Sequence, residues 1–174
     1  MQNEIEGNAA LDVQRSVDQD GDQYLTFMLS GEEYGIDILR VQEIKGLESV
    51  TEIPNTPEYV LGVINLRGTV IPVVDLRLRF GLGSLEYNNL TVVIVVKVNA
   101  GDKDYTIGLV VDTVSDVYNI ETDSISGAPD FGTNVDTSFI SGIATVNEKM
   151  VIVLDVDFLA LSVTGNDNLK DVQT

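Results

Sequence analysis

Apolar residues in this chain fall in short runs of period two, broken by Gly, Asn and Pro, the pattern of antiparallel strands. QYLTFMLS, opening at Gln23, puts Leu25, Phe27 and Leu29 on one face. Gly31-Glu32-Glu33 reads as a turn, and Tyr34–Ile44 (YGIDILRVQEI) continues as one or two strands. Val50 to Pro57 is a connection, with Pro57 placed for the first turn of a brief helix ending at Gly62. The stretch that organises the rest is GVINLRGTVIPVVDL, Gly62 to Leu76. It predicts strands Val63–Leu66 and Val70–Val74 around a tight turn at Arg67-Gly68, where Gly68 supplies the positive φ. Pro72 has no N–H to donate, so its strand is expected at a sheet edge or with a bulge. Asp75 ends the strand and LRLRF reads as one helical turn. A Gly- and Asn-bearing linker, Gly81 to Asn89, follows.

The same grammar then returns: strand Thr91–Val98, a turn at Asn99–Asp102, a strand pair in Tyr105–Tyr118, an irregular stretch from Ser126 to Asp136, and a hairpin in Phe139–Leu159. An offset of 80 lays Gly62 on Gly142, Val73 on Val153 and Asp75 on Asp155. An offset of 73 lays Gly35 on Gly108, Glu43 on Asp116 and Ile44 on Val117. Each copy holds about five short strands closed by a helical turn, and closure into a barrel removes exposed strand edges. The pattern therefore predicts a mainly all-β protein of two tandem five-stranded barrels, the first over about 23–85 and the second over about 90–161, with a groove between them. Residues 1–22 read as an acidic flexible tail with helix expected around Leu11–Val17, and 162–174 as a C-terminal tail.

Charge narrows the function. Against 10 Lys plus Arg stand 28 Asp plus Glu, a net charge of −18. Such a chain repels phosphate backbones and anionic lipid, which argues against nucleic acid or membrane-surface partners and for protein partners. There is no Cys and no His. That excludes disulfides, thiolate zinc sites, Cys or His nucleophiles, Ser-His-Asp triads and a phosphoacceptor His. The longest apolar run, Val92–Val96, is strand-sized, and Glu4, Glu6 and Asp12 stand where a signal peptide would be basic or apolar, so a cytoplasmic location is expected.

Few residues invite chemistry. Asp18, Asp20 and Asp22 suggest a calcium loop, but Phe27 or Gln23 then occupies a position that requires Glu or Gly. Gly81-Leu82-Gly83 lacks the third Gly of a dinucleotide fingerprint. Asp155 and Asp157 could flank a glycosidic bond or hold a cation, so a carboxylate-based metal-binding or hydrolytic β protein is the alternative reading. Two features fit a binding protein better. The first turn carries Arg67, one of few cations, where the second copy has Asn147. It is either a solvated turn residue or a forked donor for a partner's carboxylate or carbonyl. Ile36, Ile38, Val41 and Ile44 do not share one parity, which means either a bulge or an apolar face left for contact. Gly62 and Gly108 allow either close backbone approach or bulges at barrel corners.

EEYGIDILRVQEI, then IPNTPEYVLGVINLRGTVIPVVDLRLRFG, then YTIGLVVDTVSDV, closely resembles the CheW family, the coupling proteins of bacterial chemotaxis, in register from about Gln23 to Leu161. The resemblance implies two five-stranded SH3-like barrels and a non-enzymatic adaptor, without cofactor or metal, that links chemoreceptor signalling tips to the histidine kinase CheA. Its receptor-binding motif positions fall on Val41, Glu43, Gly62, Arg67 and Gly108, and its kinase-binding positions near Leu25, Ile38 and Val41. The same domain occurs fused within CheA and CheV, but this chain has no room for a kinase core and no receiver domain, so the stand-alone adaptor is the match.

Overall fold

The computed structural model describes residues 22–84, 86–127 and 138–164. Of the two expected tails, residues 1–21 and 165–174 lie outside these residues, as does most of the irregular stretch before Phe139; Asp22 opens the first strand, and 162–164 belong to the last helix rather than to a tail. Among the described residues ten strands run β1 (Asp22–Leu29), β2 (Glu32–Asp37), β3 (Val41–Gly46), β4 (Val60–Leu66), β5 (Thr69–Asp75), β6 (Val92–Ala100), β7 (Lys103–Val111), β8 (Thr113–Ile120), β9 (Ile140–Val146) and β10 (Lys149–Leu154). Short helices α1 (Leu76–Arg79) and α2 (Val156–Thr164) follow β5 and β10. Both start where the repeat placed them, because Asp75 and Asp155 each accept a hydrogen bond from a first-turn N–H, that of Leu78 at 3.3 Å and of Phe158 at 3.0 Å.

The strands form two five-stranded sheets, β8-β1-β2-β10-β9 and β3-β6-β7-β5-β4. This corrects the tandem division at about 85–90. One barrel, here the contiguous barrel, uses the unbroken stretch β3 to β7; the other, the split barrel, combines β1 and β2 with β8, β9 and β10. Each barrel thus takes two strands from one copy of the repeat and three from the other. The chain passes between barrels twice, first through a 3-10 turn at Ile38–Arg40 and then through the single residue Asp112. The repeat itself is real in three dimensions. β5 meets β7 in parallel with Val73 opposite Gly108, and β10 meets β2 in parallel with Val153 opposite Gly35.

Among the described residues three apolar clusters follow from strand alternation. Leu25, Phe27 and Leu29 of β1 and Tyr34 and Ile36 of β2 face a large core shared with Val74, Ile94, Val96, Ile107 and Leu109 of the contiguous barrel. The opposite strand faces fill the barrel interiors, with Ile71, Val73, Val93 and Val110 in one and Tyr24, Tyr118, Ala144 and Val153 in the other. Aromatic rings line the seam: Phe27 stacks on Tyr34 at 6.1 Å, Tyr34 meets Phe80 at 5.8 Å, and Phe80 stacks on Phe139 at 4.4 Å. Removing a buried ring of this kind, as in Phe27→Ala, costs about 3–5 kcal/mol.

Pro72 departs from expectation. Its strand β5 is interior, between β7 and β4, and the register shift of that hairpin lies between Val60 and Gly62. Pro72 is tolerated because Val63, its partner, directs both backbone groups to Thr51 on the other side (2.9 and 2.8 Å), and the ladder to β7 starts one residue later at Val73.

Candidate functional site

The hairpin β4–β5 turns on two residues of positive φ, Arg67 at 51° and Gly68 at 89°. Asn65 steadies the turn by accepting the Gly68 N–H at 2.8 Å. Gly tolerates this region freely, whereas a left-handed Arg costs roughly 1 kcal/mol. The equivalent turn in the second copy has Asn147 at 51°, a residue suited to that conformation, followed by Glu148 at 68°. Arg67 is therefore held against local preference. Its guanidinium Nη2 lies 2.7 Å from Oε2 of Glu43 on β3, with the Arg side chain 74% exposed. The pair stands at the rim of the contiguous barrel, where Arg67 with Gln42, Leu66, Thr69, Ile71 and Thr106 lines a cavity of about 240 Å³.

Thus two of the residues singled out from sequence, Arg67 and Glu43, are joined in one ion pair. Gly62 and Gly108 are present for packing rather than as exposed contacts. A Cβ on Gly62, whose φ is 145°, would overlap the carbonyl oxygen of Thr51, and one on Gly108 would sit 2.7 Å from Cγ1 of Val93. Gly142 stands in the same relation to Ser126. Both alternatives drawn for Gly62 hold at once, since the register also shifts there.

The parity break in Tyr34–Ile44 is the first crossover. Ile36 ends in the shared core, Ile38 and Val41 pack half-buried against it, and Leu39 and Ile44 are exposed, Leu39 at 67%. Leu25 is 3% exposed inside the core, which corrects its placement on a contact face. Leu39, which is not among the positions that the resemblance implies, is the apolar residue in the turn that neither strand parity accounts for. The crossover is held by Asp37, which accepts the Leu39 N–H at 2.9 Å, and by Arg40, whose two guanidinium nitrogens donate to Asp157 at 3.0 and 2.7 Å. Asp157 also accepts the N–H of Asn99 at 2.8 Å. The second crossover is the counterpart: Asp112 accepts from Arg77 of α1 at 2.8 Å and from the N–H of Ser30 at 2.9 Å.

The carboxylates considered for metal or acid–base work are engaged elsewhere, Asp155 as a cap and Asp157 with Arg40. Among the described residues no group of three or more His, Cys, Asp or Glu is placed to hold a metal ion. Asp75 accepts the Tyr87 hydroxyl at 2.5 Å. Partial burial first, and then this bond, push the Tyr87 phenol well above its usual 10.0. Among the described residues no helix is long and apolar enough to cross a membrane.

A family model for the CheW-like domain matches residues 23–163. The chain belongs to the CheW family. It is 44% identical over 142 residues to the chemotaxis protein CheW of Klebsiella aerogenes, covering 82% of this chain and 83% of that one. Against the chemotaxis protein CheW of Bacillus subtilis it is 33% identical over 138 residues, covering 79% and 85%. The crystal structure of the scaffolding protein TtCheW from Thermoanaerobacter tengcongensis superimposes with a TM-score of 0.72 at 39% identity, over 81% of this chain and 88% of that one. The two five-stranded barrels are thus those of the CheW fold.

Proposed function

We propose that this chain is a non-enzymatic chemotaxis adaptor that couples chemoreceptor signalling tips to the histidine kinase CheA, in the cytoplasm beneath receptor arrays. The observation that carries the reading is the Arg67–Glu43 pair, held at the lip of a barrel on a turn that disfavours Arg. A residue kept in an unfavourable backbone conformation is a candidate for a role beyond the turn, and Arg67, unlike the left-handed Glu148, also holds an ion pair. Arg67 donates its remaining N–H groups to the acids or carbonyls that a receptor helix presents, while Glu43 keeps Nη2 and orients the side chain. Val41 lies on the same strand, while Gly62 and Gly108 keep the strands beneath close enough to hold the lip in shape.

The kinase face is assigned to the first crossover, Ile38 and Val41 with the exposed Leu39 added and Leu25 removed. Because that turn is where the chain joins the two barrels, a partner bound there and a partner bound at the Arg67 lip act on one rigid body. Adaptor function then consists of a coupling free energy between two binding events, without chemistry of its own.

Titration calorimetry against the regulatory domain of a cognate CheA tests this directly. Leu39→Asp, an exposed change, and Ile38→Asp are expected to weaken one-to-one binding at least about tenfold with unchanged circular dichroism. Arg67→Glu is expected to keep kinase binding and lose receptor control of the kinase in reconstituted arrays. Absence of wild-type binding, or unfolding of Arg67→Glu, would overturn the reading.

A further inference from the structure

The split barrel has a mouth equivalent to the one bridged by Arg67 and Glu43, and it lacks the bridge. The offsets that relate the copies place Asn147 at Arg67, Asp116 at Glu43 and Glu33 at Thr106. In place of the small cavity of the contiguous barrel stands one of about 560 Å³, lined by Met28, Glu33, Asp116, Tyr118, Lys149 and Met150 among others. Glu33 is only 9% exposed, and its Oε2 has no hydrogen-bond partner. Among the described residues no salt bridge joins it to Lys149. A buried carboxylate oxygen left unpaired is costly, and such a group calls for a donor from outside the chain, whether water, an ion or a ligand.

The walls specify the donor. Met150 is 62% exposed, Met28 lies opposite Glu33 across the β1–β2 ladder, and the Tyr118 ring stands beside them. Flexible thioethers and an aromatic face suit a flat, weakly hydrated cation better than a compact ammonium. Partial burial, then Glu33 and Asp116, raise the Tyr118 phenol above its usual 10.0, in keeping with a mouth poor in cations.

We propose that this mouth is a further docking site, which receives an arginine side chain presented by a protein partner; the partner supplies in trans the guanidinium that Arg67 supplies in cis to the other barrel. The chain's net charge of −18 makes a second copy an unfavourable occupant and a basic partner a favourable one. The inference stands on Glu33 and the mouth alone and does not depend on which partners the Arg67 lip or the crossover serve.

The full chain carries three methionines, two of them, Met28 and Met150, in the mouth, with Met1 as an internal reference. Methyl-13C-methionine protein is titrated with the acetylated, amidated dipeptide Arg-Leu and with its citrulline twin, a neutral isostere. Saturable shifts of Met28 and Met150 with Met1 silent, about tenfold weaker for citrulline and for Glu33→Gln, are expected. Lys149→Ala, which removes a like charge from the lip, is expected to tighten binding about twofold and keeps the test open if Glu33→Gln folds poorly. No saturable shift, equal shifts for the citrulline twin, or weaker binding by Lys149→Ala would overturn the proposal, the last by showing that Lys149 itself completes the site.

Discussion

In the contiguous barrel the turn at Arg67-Gly68 sends a guanidinium across the mouth to Glu43; in the split barrel the same turn is Asn147-Glu148, and Glu33 and Asp116 face a wider opening without it. The strands beneath are equivalent, pair by pair, down to the parallel contact of Val73 with Gly108 and of Val153 with Gly35. A duplicated scaffold can therefore hold its core pattern constant and differentiate at the turn and the lip, where a change of side chain costs little packing. The same logic governs the two crossovers. Arg77 on α1 pairs with Asp112 in one, and in the other, with the charges exchanged, Asp157 on α2 pairs with Arg40. In each the helix and the crossover are tied, and a strand-end N–H, of Ser30 or Asn99, completes the acid's bonds.

The sharpest way to break this equivalence is at the glycines. Gly62→Ala and Gly142→Ala each drive a methyl into a carbonyl, but only Gly62 also sits at positive φ, 145°. Urea unfolding is expected to show a loss of about 3 kcal/mol or more for Gly62→Ala and a smaller loss for Gly142→Ala. Next come the crossover pairs. Arg77 and Asp112 are 13% and 20% exposed as side chains, against 36% and 31% for Arg40 and Asp157. Asp112→Ala is accordingly expected to cost about 2–3 kcal/mol and Asp157→Ala about 1 kcal/mol, with double-mutant cycles assigning the pairwise part.

At the turns the sign reverses. Glu148→Gly relieves a left-handed Glu and is expected to stabilise the chain by about 0.5–1 kcal/mol in thermal unfolding, and Arg67→Asn to be neutral or slightly stabilising. The smallest effect is confined to alkaline pH. Tyr87 has a raised phenol pKa, so the stability it confers is complete below its usual 10.0 and falls as pH rises beyond that. Tyr87→Phe, which removes the bond to Asp75, is expected to flatten the decline of stability above about pH 10, whereas no tyrosine hydroxyl among the described residues meets Asp155 in the second copy.

Sequence alone determined most of what depends on near neighbours, although the brief helix expected from Pro57 to Gly62 is instead a turn that leads into β4 at Val60. Period-two runs placed the strands, Asp75 and Asp155 placed the helix starts, and the offset of 80 revealed the duplication, because each rests on backbone geometry within a few residues. Arg67 was legible as an anomaly for the same reason, as a cation in a turn whose copy has Asn. What the tertiary structure decided was partnership. Alternation says which face of β1 is apolar, and the shared core and β8 satisfy that face as well as strands of its own copy would. The crossover at Ile38–Arg40 carries the chain into a second sheet before its own barrel closes, so membership follows from a three-residue turn that the hydrophobic pattern marks only as a break in parity, without saying which sheet comes next. The Glu43 partner of Arg67, the burial of Leu25 and the unpaired Glu33 belong to that long-range level, where contacts between residues distant in sequence set exposure and charge.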